Sequence, residues 1–419
     1  ITEFERMFFV YIVARPTMDI FLRAGTGVGY SRVNLGAFIS GVFIVASVLY
    51  LLRKRQTIWS SREILCFFLF LLFAFLSTIY NFRTVEWEGM FSFLRLLTVF
   101  CVMVTILQLI TTHEQIVKLF KCVLWSLIIP MIYAITQIFT GFNASSNEGI
   151  RINGGFGHAN PFSAHLGLFT IVIYVLLAKL TSIGSKQRVQ LGLLGCLVVV
   201  CLFYTFSRGG WLATVMSVFV VQLFFMRKHF LFLSIACLLL FAASVLGQVD
   251  IPLAEKVGER FQDVQIWRST AVLSDAHNSL AWRITYWKQL LSHASNSPIT
   301  GLGLGSVVNL GSSHLHAHNN YVQAFVETGL GSFFYFGTVL LFFQRALKGL
   351  SAFDGMGRTI SIAAVGLILF FFILSFSNHL IRNTVFQTYF FGLLTLMISH
   401  HRLQLERREQ THSRTPVPA

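Results

Sequence analysis

The 419-residue chain is poor in charge: Asp, Glu, Lys and Arg together make up 12% of it, about half the share of a soluble globular protein. Too little polar surface is available to cover a water-facing exterior of this size, which excludes a cytosolic enzyme and a disordered chain. Its six cysteines (Cys66, Cys101, Cys122, Cys196, Cys201 and Cys237) all fall inside apolar runs, so none is placed for a disulfide in an outer loop and a secreted disulfide scaffold is excluded as well. Acidic residues are nearly missing from the apolar runs, where only Asp19 and Glu327 occur. Ion-coupled transporters ordinarily need such buried carboxylates, and their scarcity counts against that class. What the chain does have is hydrocarbon: 55% hydrophobic residues, 44 of them Phe, and a mean hydropathy of +0.69. It reads as an all-α integral membrane protein.

A bilayer core about 30 Å thick takes roughly 20 apolar residues per helix. Twelve candidate spans follow, near Phe8–Ile20, Leu35–Leu52, Ile64–Ile79, Phe91–Ile110, Leu119–Phe139, Phe162–Leu180, Leu191–Phe206, Trp211–Phe225, Phe230–Leu246, Tyr321–Phe343, Ile360–Phe376 and Thr384–Ile398. The runs are continuous and do not alternate, which excludes a β-barrel. The first run contains Arg15-Pro16 and no small-residue cleavage site, so it reads as a retained helix and not as a signal peptide.

The net charge of +15 does not mark a nucleic-acid binder, because the basic residues sit in short clusters between spans. With both termini cytoplasmic, nineteen of the 32 basic residues lie on the inner side, which is the arrangement the positive-inside rule favours. That orientation divides the chain into a transmembrane region over 1–247, an extracytoplasmic segment over 248–318 between spans nine and ten, further spans over 319–400, and a basic cytoplasmic tail over 401–419. Some 70 residues are long for a structureless loop. A small subdomain with an amphipathic helix near Asn278–Trp287 is expected there, followed by a break at Asn296-Ser297-Pro298 and a stretch made flexible by Gly301, Gly303 and Gly305. The tail after His401 is expected to be disordered.

Outer arginines make an anion the implied ligand. Arg208 lies in Phe206-Ser207-Arg208-Gly209-Gly210-Trp211, where glycines and a helix start favour phosphate. A snorkelling arginine with Trp211 as interfacial anchor is the alternative. Arg283 stands four residues before Trp287, so both occupy one helix face and its guanidinium is suited to gripping phosphate with two bonds, unless it is a surface arginine stacked on Trp287. His314, His316 and His318 alternate and would project to one side as zinc ligands, but no cysteine and few carboxylates accompany them. One neutral imidazole acting as a base is the simpler reading. His158 and His165 read as helix-start or packing histidines. Arg95, inside span four, either pairs with a neighbouring helix or extends a basic channel.

Three stretches together resemble the O-antigen ligase and O-antigen polymerase superfamily of polytopic glycosyltransferases. They are Arg151-Ile152-Asn153-Gly154-Gly155-Phe156-Gly157-His158-Ala159-Asn160-Pro161, Phe206–Trp211, and His318-Asn319 followed after nine residues by Gly329-Leu330-Gly331. The second glycine of the last motif is shifted from the family's spacing. The resemblance implies a GT-C-like enzyme on the outer face of the bacterial inner membrane, without metal or other cofactor, whose donor is a glycan on undecaprenyl pyrophosphate. By that resemblance Arg208 and Arg283 bind the pyrophosphate and His318 activates the acceptor hydroxyl. Arg151, Asn160, Asn319 and Trp287 match substrate-binding positions.

The acceptor implied is a second lipid-linked repeat unit (a polymerase for O-antigen or exopolysaccharide) or lipid A-core (a ligase), with the polymerase preferred. A transporter or flippase of lipid-linked glycan is the reading from another class. It would need charges deep in the spans and broken helices in two related halves, and glycine and proline are not paired that way here.

Overall fold

The computed structural model describes residues 3–23, 35–54, 61–140, 151–179, 184–225, 279–310 and 315–414. Among them the chain is helical, with no strand. The expected ninth span Phe230–Leu246, the part of the long segment before Ser279, Cys237 and His314 lie outside the described residues.

The helices are α1 (Glu3–Arg23), α2 (Leu35–Lys54), α3 (Arg62–Tyr80), α4 (Phe82–Leu109), α5 (His113–Trp125), α6 (Ile128–Thr140), α7 (Ala159–Lys179), α8 (Ser185–Tyr204), α9 (Arg208–Phe225), α10 (Ser279–Ala294), α11 (Ser306–Leu310), α12 (Asn320–Thr328), α13 (Gly331–Ala352), α14 (Gly355–Ser375) and α15 (Thr384–Arg414), with a 3₁₀ turn at Leu380–Arg382. Among the described residues seven segments are long and apolar enough to cross a membrane: α3, α4, α5 with α6, α7, α8, α9 and α14. The chain is a polytopic helical membrane protein.

Backbone groups in hydrocarbon must be satisfied from within the protein, and the proline sites show how. Pro16 in α1 has no N–H to offer the Ile12 carbonyl four residues back, and the Tyr389 hydroxyl of α15 donates to that carbonyl instead. Pro130 likewise leaves Ser126 without its helical partner, and the expected fifth span is split there into α5 and α6.

Aromatic packing joins the helices. Phe67 of α3 meets Phe391 of α15 edge-on at 4.9 Å, and Phe371 of α14 stacks on Phe390 at 4.9 Å. With lipid outside as apolar as the interior, such dispersion contacts take the place of hydrophobic burial between helices. The lipid-facing periphery keeps large side chains exposed, among them Phe38, Phe139 and Leu193. A second, smaller core lies beside the bundle, built from Tyr286, Leu290 and Ala294 of α10, Val307 of α11, Val326 of α12, and Ala317 in the segment that leads into α12.

Several expectations are corrected. The tenth run is two helices, α12 and α13, because Gly329 between them adopts φ +53 and a Cβ there would meet backbone atoms of Ile299 and Gly301. Helix α4 reaches back to Phe82 and not only to near Phe91, across a kink at Glu86 (φ 49), and so includes Glu88. The glycine-rich stretch at 301–305 is ordered, not flexible: the Leu302 and Gly303 amides donate to the carbonyls of Val326 and Glu327, and the glycines serve left-handed backbone in a tight crossing. Residues 402–414, expected to be disordered, continue α15 beyond the buried His401, with Arg402 donating to the carbonyls of Leu107 and Ile110.

Candidate active site

The first motif is bolted to the second. Arg151 donates from Nε to the Thr205 carbonyl at 3.0 Å and from Nη2 to Asn160 Oδ1 at 2.9 Å. The Ser207 hydroxyl donates to the same Asn160 oxygen at 3.1 Å. Asn160 thereby ties the start of α7 to the turn that launches α9. In that turn Phe206 takes φ 49, a left-handed conformation costly for a side chain of its size, and Arg208 follows as the first residue of α9. Trp211 is buried, stacked on Phe203 at 5.0 Å, with its indole N–H on the Leu202 carbonyl at 2.8 Å. It therefore locks the turn and does not act as an interfacial anchor.

The third motif is held by α10. Tyr286 donates its hydroxyl to the Leu315 carbonyl at 2.6 Å, and Trp287 donates its indole N–H to the Ala317 carbonyl at 2.6 Å. His318 follows in left-handed backbone, φ 48. Asn319 caps α12, its side-chain oxygen accepting from the amides of Tyr321 at 2.9 Å and Val322 at 3.1 Å. Non-glycine residues with positive φ number three among those described, and two of them, Phe206 and His318, flank this site. Strain of this kind persists where surrounding structure over-determines it.

Arg208, Arg283 and His318 are electrostatic neighbours. Burial first, and then the Arg208 charge, hold the Arg283 guanidinium below its usual value. His318 is pushed down to about 4 by burial first, then by Arg283 and His158. Arg283 Nε and His318 Nδ1 are both buried without a hydrogen-bond partner among the described residues. The arrangement brings two cations and one neutral imidazole to the rim where α7, α9, α10 and α12 begin. His158 accepts from the Asn160 amide at 3.1 Å, as a helix-start histidine would, and it also faces His318. His165 is a packing residue, buried against Phe156, Phe169 and Tyr389.

A second layer was not foreseen. His379, in the link between α14 and the 3₁₀ turn, stacks on His316 at 4.4 Å and meets His318 edge-on at 5.3 Å. Asn320 holds that link, accepting from the Ile381 amide at 2.7 Å. Behind it, Arg382 donates to Glu88 at 2.7 Å and to Ser92 at 2.8 Å, and Arg95 reaches the same Glu88 oxygen at 3.2 Å. Arg95 is thus paired, and its charge also bears on His316, which burial first, and then Arg382, His318 and Arg95, push down to about 3. The sequence signal for this layer was the cluster of polar residues Asn378, His379, Arg382 and Asn383 between two apolar runs. Among the described residues no group of three His, Cys, Asp or Glu is placed to hold a metal ion.

Residues 193–342 match the family model described as O-antigen ligase. The matched region covers less than half of the chain but includes Arg208, Arg283, Trp287, His318 and Asn319, while Arg151 and Asn160 precede it. The resemblance to the O-antigen ligase and polymerase superfamily is borne out over this region. It indicates glycosyltransferase-type activity in O-antigen assembly at a bacterial membrane. Comparison with curated proteins returns no match.

Proposed function

We propose, on the premise of that match, that the protein is an inverting, metal-independent GT-C-type glycosyltransferase. It moves a glycan from undecaprenyl pyrophosphate to an acceptor hydroxyl at the outer face of the inner membrane. The observation that carries the proposal is the meeting of Arg208, Arg283 and His318.

The acceptor oxygen attacks the anomeric carbon while the bond from that carbon to the pyrophosphate oxygen breaks. The hydroxyl proton passes to His318, and undecaprenyl pyrophosphate leaves as the anion. Preorganised cations in a site shielded from water stabilise the charge that develops on the leaving group, and Arg208 with Arg283 are that pair. Direct displacement inverts the anomeric centre. Arg151, Asn160, Asn319 and Trp287 act largely through the backbone they fasten.

Sidedness is supported by the larger share of basic residues, nineteen of 32, on the side away from the site. The inner basic positions Lys118, Arg345 and Arg402 belong to the end where α4 finishes, with Arg345 paired to Glu63 at the start of α3 and Arg402 on the last carbonyls of α4. Glu88, near the beginning of α4, belongs to the site end. The positive-inside rule applied to these positions supports a site on the outer face with both termini in the cytoplasm.

A repeat-unit polymerase is the preferred assignment. A ligase acting on lipid A-core is the second reading, favoured by the description of the matched family. Proteoliposomes holding the full chain and a lipid-linked repeat unit, with and without lipid A-core, separate them: laddered growth without core means polymerase, and product only with core means ligase. His318→Ala and Arg208→Ala each abolish transfer while expression is kept. Normal product from either variant overturns the proposed roles.

A further inference from the structure

Glu327, in the middle of α12, is fully buried. Its Oε1 accepts from Gln323 Nε2 at 2.8 Å, the Gly305 backbone amide lies close to the carboxylate, and Oε2 has no hydrogen-bond partner among the described residues. It lines a small, partly open cavity with Ser92, Arg95, Leu304 and Arg382. The cavity measures about 10 Å³, room for one water-sized group. A buried carboxylate oxygen left without a partner is costly, so a polar group seated against it stabilises the site.

The charges around the cavity select that group. Arg382 and Arg95 share Glu88, and Glu327 is the second carboxylate beside these two guanidiniums, so an anion entering here would meet a carboxylate that repels it. A cation would meet two guanidiniums. A neutral group able both to donate to Glu327 and to accept from an arginine fits, and an alcohol hydroxyl is such a group.

The cavity also has a fixed relation to the base. His316 Nδ1 lies 3.3 Å from Gln323 Nε2, the amide that holds Glu327, and His379 stands between His316 and His318. The charged neighbours of His318 are Arg283 and His158, whereas those of His316 include Arg382 and Arg95. The histidine layer therefore separates the arginine pair assigned to the donor from this second polar pocket. Resting on the glycosyl-transfer reading, we infer that the Glu327–Arg382 cavity is a specificity subsite for the acceptor glycan, taking one neutral sugar hydroxyl other than the one that reacts. Polymerase and ligase alike need such a subsite, and it discriminates between acceptors that present and lack that hydroxyl.

The test uses the reconstituted full chain with its lipid-linked repeat unit as acceptor, and a set of monodeoxy analogues of the terminal acceptor sugar. One analogue is expected to raise the acceptor KM on the unaltered protein by about tenfold to a hundredfold, the range for leaving a buried polar group unpaired. Glu327→Gln, which keeps the shape but presents an amide, raises the KM of the full acceptor by a similar factor and removes the penalty for that one analogue. Donor KM stays within about twofold, since both arginines of the donor site are untouched. Ser92→Ala on the cavity wall gives the same selective loss in smaller measure and serves where Glu327→Gln does not fold. Equal penalties across all analogues, or none, overturn the inference: the cavity then holds a structural water only. Absence of transfer to any acceptor by the unaltered protein overturns the glycosyl-transfer reading itself, and the subsite with it.

Discussion

Trp287 and Ala317 are joined by a hydrogen bond of 2.6 Å from the indole N–H to the carbonyl, one residue ahead of His318. Arg283 lies one turn earlier on the same helix, where its charge reaches His318. A single helix thus sets both the cation and the loop that carries the base, and their relative position has little freedom.

Trp287→Phe removes that bond while keeping an aromatic ring. A net loss of about 1 kcal/mol is expected from the bond itself, together with a looser base, so kcat falls about tenfold with donor KM nearly unchanged. Initial-rate measurements at varied donor concentration check it. An unchanged kcat would make Trp287 a packing residue only.

Lysine keeps the charge of Arg208 or Arg283 but gives up the planar fork that grips two phosphate oxygens. Arg208→Lys and Arg283→Lys should each retain a measurable rate, about a hundredfold below normal, while the alanine variants fall further, by about 3 kcal/mol or more of transition-state stabilisation. The comparison is made by single-turnover transfer. Full activity in either lysine variant would show that the site needs only a point charge there.

The residues of the central cluster were legible because their types are conspicuous in such a chain. An arginine after a glycine-flanked turn, an arginine four residues before a tryptophan, and a His-Asn pair ahead of a glycine motif stand out where 12% of residues are charged. The second layer was not legible. His379, Arg382 and Glu88 come to His316 and Glu327 from elements far apart in the chain, and hydropathy carries no information about which polar loops meet. Local composition also misled at Gly301, Gly303 and Gly305, where glycine serves left-handed backbone and not mobility. Polarity misled after His401, where the helix runs on because its carbonyl and side-chain contacts extend beyond the apolar run.

Asn319 was expected to bind substrate, and its oxygen is committed to the cap of α12. Aspartate caps as well as asparagine, whereas alanine does not and costs about 1 kcal/mol. Asn319→Asp should therefore keep thermal stability in detergent close to that of the parent, and Asn319→Ala should lower it. If transfer follows the same order, the residue acts by placing His318. A loss of transfer in the stable aspartate variant would instead assign the amide nitrogen to the substrate.

The pH profile tests the coupling between donor and base. Only the neutral imidazole accepts a proton, and burial, Arg283 and His158 hold His318 down to about 4 against an ordinary value of 6.5. In the free enzyme the base is therefore neutral across the physiological range and is lost only as pH falls through about 4, so kcat/KM, which reports the free enzyme, should stay level down to about pH 5. Pyrophosphate bound between Arg208 and Arg283 brings negative charge beside the imidazole and offsets the cations that depress it. The acid limb of kcat, which reports the bound complex, should lie at higher pH than that of kcat/KM, and Arg283→Lys should leave this order intact because the charge remains. Donor binding thus makes His318 a stronger base for whichever hydroxyl then enters the site. A kcat/KM limb at 6.5, or a kcat limb below that of kcat/KM, would separate His318 from the cation pair.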